Sequence, residues 1–235
     1  MRLKIFCFWT VYFVAFISVR SEERIWKWVC QEGDCVKTPF SASQDAPLSL
    51  EACKMFCNKY GLLWPKPTGD VDLGNFLSKI NLNNINVHLV KHGKTDKLME
   101  SAAERFKIMV ALAVPKGVTP KLSGKTLNVF FVNENPDVRE FSLDMDESYA
   151  LRVAPMTDDS LNATINANTY FGLRHGLETL AQLVVYDEIR DHLLIVRDVT
   201  INDKPAYPYR GLLVDTARNF IDVDTIKSTI GKYLT

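Results

Sequence analysis

Tyr209-Arg210-Gly211-Leu212-Leu213-Val214-Asp215-Thr216-Ala217-Arg218-Asn219-Phe220 decides the fold of this 235-residue chain. Three consecutive apolar residues, 212–214, entered through Tyr-Arg-Gly and left through Asp-Thr, read as a buried strand followed by a loop. Asp222 or Asp224 can cap a helix that starts next. The stretch is therefore one βα unit, and within the 235 residues no second one follows it.

Upstream of that unit the pattern changes to strands mixed with two helices. Residues 86–90 alternate as a strand. Thr95 and Asp96 start a helix that carries Leu98, Ala102, Phe106, Met109 and Ala113 on one face, and 115–124 break it. Residues 127–132, 149–153 and 161–165 read as further strands, with a hairpin between the last two. Leu173, Leu177, Leu180 and Val184 mark a second amphipathic helix, and 193–196 return as a last strand. Such an order suggests an α/β sandwich with both helices on one face of the sheet. Residues 202–208, with Pro205 and Pro208, make the hinge to the βα unit.

The N-terminal end reads as a secretory signal over residues 1–21: a basic start, an apolar run and small residues near Ser21. The run is shorter than the roughly 20 residues of a membrane span, so the expected location is secreted, with no stable span. Of the five cysteines, Cys7 lies in the signal, which leaves Cys30, Cys35, Cys53 and Cys57 for a disulfide-stapled segment over 22–70. Three pairings are possible. The nested one, Cys30 with Cys57 and Cys35 with Cys53, suits a hairpin facing a helix over 50–60 whose two cysteines, four apart, share a face. A zinc site is the other use of four cysteines, but the CxxC spacing it usually needs is missing. The 28 basic and 28 acidic residues cancel and are dispersed, so nothing here is shaped to hold nucleic acid.

The opening stretch closely resembles the first barrel strand of the β-N-acetylhexosaminidases of glycoside hydrolase family 20, where Tyr-Arg-Gly-x-x-x-Asp-Thr-x-Arg opens the catalytic domain. Asp146-Glu147-Ser148-Tyr149, the run 165–172 and Gly176-Leu177-Glu178-Thr179-Leu180-Ala181-Gln182-Leu183 are similar to the non-catalytic domain that precedes that barrel. The cysteine segment, with Leu50-Glu51-Ala52-Cys53-Lys54-Met55-Phe56-Cys57 and Gly61-Leu62-Leu63-Trp64-Pro65, resembles that of the insect chitooligosaccharide-degrading members. The resemblance implies a signal peptide (1–21), a stapled segment (22–70), a non-catalytic α+β sandwich (71–205) and the start of a (β/α)8 barrel (206–235), which takes roughly 250 residues when complete.

The resemblance also implies the chemistry. The substrate is a chitooligosaccharide or another terminal N-acetylglucosaminide, and the sugar's own acetamido oxygen attacks its anomeric carbon. A glutamic acid protonates the leaving oxygen beside an aspartate that steadies the acetamido group. No metal or cofactor is implied, and a homodimer of the full-length form is left open. The Asp-Glu pair falls beyond Thr235, so this chain is expected to be inactive.

Arg210 is the position expected to hydrogen-bond the hydroxyls of the terminal sugar, the alternative being an ion pair with Asp215 or another barrel carboxylate. Asp215 and Arg218 read as a frame for the strand-to-helix loop. Asp146-Glu147 and Asp187-Glu188 precede the barrel strand and read as solvated surface, and His88, His92, His175 and His192 as ordinary structural or surface residues. Asn162-Ala163-Thr164 is an N-glycosylation sequon.

The last five residues, Gly231-Lys232-Tyr233-Leu234-Thr235, depart from the family pattern, and Gly-Lys-Tyr can be encoded by a splice donor. A retained intron is the expectation, which reading the transcript at codon 231 decides. Two other functional classes stay open: a hexosaminidase that trims N-glycans, and a non-catalytic carbohydrate-binding or interaction protein.

Overall fold

The structure, a computed structural model, describes residues 26–39 and 48–233. The signal expected over 1–21 lies outside them. A two-stranded hairpin comes first, β1 (Trp26–Gln31) and β2 (Asp34–Pro39), then a short helix α1 (Leu50–Lys54). The body of the molecule follows as β3 (Val71–Asp72), β4 (Phe76–Leu89), α2 (Asp96–Leu112), β5 (Lys125–Asn133), β6 (Tyr149–Thr157), β7 (Ser160–Ala167), α3 (Tyr170–Gln182), β8 (Val184–Asp187), β9 (His192–Arg197) and β10 (Val199–Asp203). A last helix, α4 (Val223–Tyr233), stands apart from the sheet in sequence.

Eight strands make one mixed sheet in the order β3-β10-β6-β7-β5-β4-β9-β8. β5 runs parallel to both β4 and β7, and the other pairs are antiparallel. The central strands alternate as period-2 patterning requires. On β5 and β7, Leu127, Val129, Phe131, Leu161, Ala163 and Ile165 are fully buried, while the residues between them lie partly open on the other face. The buried rows face α2 and α3, which touch each other and pack on the sheet. α2 supplies Met99, Ala102, Phe106 and Val110, and α3 supplies Leu173, Leu177 and Leu180.

Two glycines of α3 set how closely it rides. A Cβ on Gly172 would stand 2.3 Å from the Ser148 carbonyl oxygen, and one on Gly176 would stand 2.4 Å from Ile165 Cγ2. Only residues without a side chain let the helix lie this near the start of β6. Thr169 caps α3, its hydroxyl oxygen accepting from Gly172 N, and donates to the Asp146 carbonyl at 2.7 Å.

Several boundaries differ from those the sequence suggests. The helix expected over 50–60 stops at Lys54. Turns take over, Gly61 adopts φ +55°, and Cys57 sits on a turn rather than on the helix face. Val184 does not extend α3: the helix ends at Gln182, and the β-branched Val184 and Val185 pair with Ile195 and Leu194 of β9. The strand at 193–196 is not the last, because a left-handed residue at Asp198 (φ +62°) turns the chain into β10. Asn202 and Asp203 therefore belong to the sheet and not to a hinge.

The largest difference lies in the stretch 209–220. Residues 212–214 form no strand, and Leu212, Leu213 and Val214 are 57%, 88% and 46% exposed. A strand needs a neighbour to accept and donate its backbone hydrogen bonds, and none of the described strands lies beside this one. The helix after it does form, with Asp222 accepting from Thr225 N at 2.8 Å and from its hydroxyl at 2.7 Å.

Candidate functional site

The described residues bring Arg210 to the sandwich. Its Nη2 donates to Glu147 Oε1 at 2.5 Å, and its Nη1 donates to the Tyr207 carbonyl at 2.6 Å. His175 Nε2 stands 2.9 Å from the same Glu147 oxygen. The cluster thus joins the turn before β6, the second turn of α3 and the irregular segment 204–222.

Glu147 is only 7% exposed, which corrects its reading as solvated surface. Alternation places it on the inward row with Tyr149, Leu151 and Val153, and period 2 carried two residues upstream from Tyr149 was the signal that could have found it. Burial works against its charge, yet hydrogen bonds and charge from Arg210 and His175 outweigh burial and hold the carboxyl below its ordinary value. Asp146 beside it is exposed and is also lowered, by hydrogen bonds from the Ser148 hydroxyl and backbone. His175, read as an ordinary residue, belongs to this cluster, and sequence spacing alone gave no sign of it.

Asp187 needs the same correction. It is fully buried at the end of β8 and accepts from Arg190 Nη1 at 2.8 Å and from Ile189 N at 3.1 Å. A four-residue strand buried on both faces carries it inward. Glu188 remains exposed. Of the other histidines, His88 stacks on Phe130 with ring centroids 4.9 Å apart, and His92 Nδ1 lies 3.0 Å from Asp96 Oδ2. His192 is buried, and its Nδ1 meets no hydrogen-bonding group among the described residues.

Asp215, the alternative partner for Arg210, is engaged elsewhere. It accepts from Ala217 N at 2.8 Å and from Arg218 Nε at 2.6 Å, closing the loop between 214 and α4. An apolar hollow of about 770 Å³ lies between 210–214 and α4, lined by Arg210, Leu212, Val214, Ile221, Ile226 and Ile230. A smaller one of about 210 Å³ lies on the other side of the ion pair, lined by Glu147, Tyr170, Phe171, Arg174, His175 and Glu178.

The root of segment 204–222 is anchored through Asp203. Its Oδ1 accepts from Thr68 N at 2.7 Å and from the Thr68 hydroxyl at 3.0 Å, and its Oδ2 accepts from Tyr149 Oη at 3.2 Å. Tyr149 Oη is also 2.6 Å from Thr179 Oγ1, and burial raises its phenol above the ordinary range. Gln182 holds the connector as well, donating to the Trp64 carbonyl at 2.7 Å and accepting from Trp64 N at 2.6 Å.

Asn162 sits third in β7, inside the sheet and on the face away from the helices, half-buried. Its side-chain oxygen faces Asn128 Nδ2 at 3.4 Å, and Asn128 accepts in turn from Asn86 at 3.1 Å. The cysteines are joined as Cys30–Cys57 and Cys35–Cys53, with Cα separations of 5.2 and 6.1 Å. Three of their sulfurs crowd together, and the two disulfides account for them. Among the described residues no helix is long and apolar enough to cross a membrane.

Comparison with known proteins adds the family. Residues 63–183 match the model described as beta-acetyl hexosaminidase like, and residues 207–233 match the catalytic domain of glycosyl hydrolase family 20. Chitooligosaccharidolytic beta-N-acetylglucosaminidases of Ostrinia furnacalis and Bombyx mori are 60% and 54% identical over 97% and 98% of this chain. The chain spans 38% and 39% of their lengths. The crystal structure of a Flavobacterium johnsoniae chitobiase superposes on 72% of this chain and 24% of its own, with a TM-score of 0.51 at 24% identity, a likeness of fold. Since the first model alone covers more than half of the residues, the chain belongs to the hexosaminidases of glycosyl hydrolase family 20.

Proposed function

We propose that this chain is the portion of a secreted β-N-acetylglucosaminidase that holds the non-catalytic sandwich and the first segment of the catalytic barrel. The whole enzyme would remove terminal N-acetylglucosamine from chitooligosaccharides in chitin breakdown. One observation carries the reading: similarity to the two insect chitooligosaccharidolytic enzymes runs through nearly the whole chain, from the cysteine segment to the Tyr-Arg-Gly stretch. The chemistry is substrate-assisted, the acetamido oxygen of the sugar attacking the anomeric carbon while a glutamic acid protonates the leaving oxygen. Arg210 is the group proposed to hold the hydroxyls of the terminal sugar, and Asn162 is proposed to carry an N-glycan.

Among the described residues, neither adjacent Asp-Glu pair is suited to supply the proton for that step. A general acid must hold its proton near the working pH, whereas at Glu147 burial is outweighed by the Arg210 guanidinium and by hydrogen bonds from Arg210 and His175, which hold the carboxyl below the ordinary range. Asp187 is turned into the sheet edge and tied to Arg190. Neither adjacent Asp-Glu pair can serve as the catalytic dyad. Hydrolysis of a fluorogenic N-acetylglucosaminide, measured on this polypeptide beside the product of the longest transcript of the same gene, tests the reading. Turnover is expected from the longer product and none from the 235 residues. Free amino sugar released by the 235-residue polypeptide, or none released by the longer one, would overturn it.

A further inference from the structure

β4, β5 and β7 lie side by side, and alternation sends every second residue to the face turned away from α2 and α3. The register of the two parallel pairs sets these residues in rows across the strands. One row is Asn86, Asn128 and Asn162, and the next is His88, Phe130 and Thr164. The amides of the first row are chained. Asn86 Nδ2 donates to Asn128 Oδ1 at 3.1 Å, and Asn128 Nδ2 donates to Asn162 Oδ1 at 3.4 Å. The Asn162 oxygen is held, and its Nδ2 takes no part in this chain. In the second row His88 stacks on Phe130, with ring centroids 4.9 Å apart and planes at 21°. That separation is close to the strand spacing of about 4.8 Å. His88 therefore covers the β4 side of the phenyl ring, and the other ring face looks toward β7. Asn162 and Thr164, the two ends of the one sequon in the sequence, both stand on this open face.

We infer that the open face of the sheet is the seat of the Asn162 glycan, with the Asn86–Asn128 amides fixing its root and the Phe130–His88 pair receiving its first sugars. The inference rests on the reading that the sequon is occupied. In an Asn-linked glycan the anomeric carbon replaces one hydrogen of Nδ2 and leaves the amide oxygen able to accept. The bond from Asn128 then holds the plane of the amide, and with it the direction in which the sugar leaves the strand. Phe130 lies on the diagonal from Asn162, about 8 Å away by one strand spacing and two residues of rise. One face of an N-acetylglucosamine ring is made of C–H bonds, whose partial positive charge suits the negative face of a phenyl ring. Arg152 of β6, exposed and in register with Thr164, offers guanidinium donors to the sugar hydroxyls. The glycan thereby covers the side of the sheet that the helices leave open.

The test compares one sequence with and without its glycan: the chain secreted by a eukaryotic host, and the chain made in a bacterial periplasm, where disulfides form and Asn-linked glycans are not added. Mass spectrometry of the peptide holding Asn162 reports occupancy. A bare Asn162 in the secreted chain would end the sequon reading, and the inference with it. Where the site is occupied, the thermal midpoint of the glycosylated wild type should exceed that of the bare one by about 2–4 °C, the shift that a contact of aromatic-pair strength gives a chain of this size. Phe130→Ala should remove most of that increment and Asn128→Ala part of it. His88→Ala, at an exposed position, should reduce it too, and it serves in place of Phe130→Ala if that variant loses its circular-dichroism signature. Equal midpoints in the wild-type pair would overturn the inference. So would an increment of the same size in every folded variant, the result of a glycan that acts on the unfolded chain alone. A glycosylated chain that sediments as a dimer, and as a monomer after Phe130→Ala, would give the face to a second copy and overturn the inference as well.

Discussion

Residues 129–132, within the strand β5, and residues 212–214 carry nearly the same message in sequence, an apolar run bounded by polar residues or glycine, and they end in opposite states. Leu127, Val129 and Phe131 are fully buried in a strand with hydrogen-bonded neighbours on both sides. Leu212, Leu213 and Val214 are open and belong to no strand. Local pattern states a preference for extended chain. Only a partner that supplies donors and acceptors and covers the apolar face converts the preference into a strand.

If that contrast is right, truncating one side should be costly and truncating the other nearly free. Phe131→Ala, which empties a fully buried site between β4 and β7, should lower stability in urea denaturation by about 3–5 kcal/mol. Gly172→Ala tests the close seat of α3. Its new Cβ would lie 2.3 Å from a backbone oxygen that no rotamer can move, and the expected loss is about 1–3 kcal/mol.

A smaller effect should appear with pH. Burial, with the nearby Lys79 and Lys121, holds the His192 ring below its ordinary value, opposed by a hydrogen bond to the Lys121 backbone and by Asp187. The unfolded chain then binds the proton first. The contribution of His192 is fully present above about pH 6.5, the unfolded value, and is lost as pH falls toward the depressed folded value. Thermal midpoints measured from pH 7.5 to 5 should decline in the wild type and decline less in His192→Gln. Glu147 adds a second loss at lower pH, setting in below its unfolded value of about 4.3 and complete only below its lowered folded value. The smallest change is expected from Leu213→Ala, within about 0.5 kcal/mol, since its side chain is already in solvent. A loss as large as that of Phe131→Ala would erase the contrast between the two regions.

Much of the sandwich was legible because its periods are clean. Phe106 on α2 and Leu161 on β7 fall where patterning puts them. What escaped was decided by tertiary pairing. Val184 leaves the helix because β9 offers it a partner, Glu147 meets Arg210 from 63 residues downstream, and β8, buried along its whole length, carries Asp187 inward. Of the candidate site, the motif singles out Arg210, whose role toward a sugar stays a proposal. Its carboxylate partner, 63 residues upstream, was not legible, because an ion pair across that distance leaves no spacing to read.

The sheet and its two helices hold themselves together, while 204–222 carries a strand signature without a strand. Amide hydrogen exchange followed by mass spectrometry separates the two. Peptides from β5 and β7 should stay protected for hours, while those covering 209–220 should exchange within the first time point. Protection of 211–215 comparable to that of β5 would contradict the account.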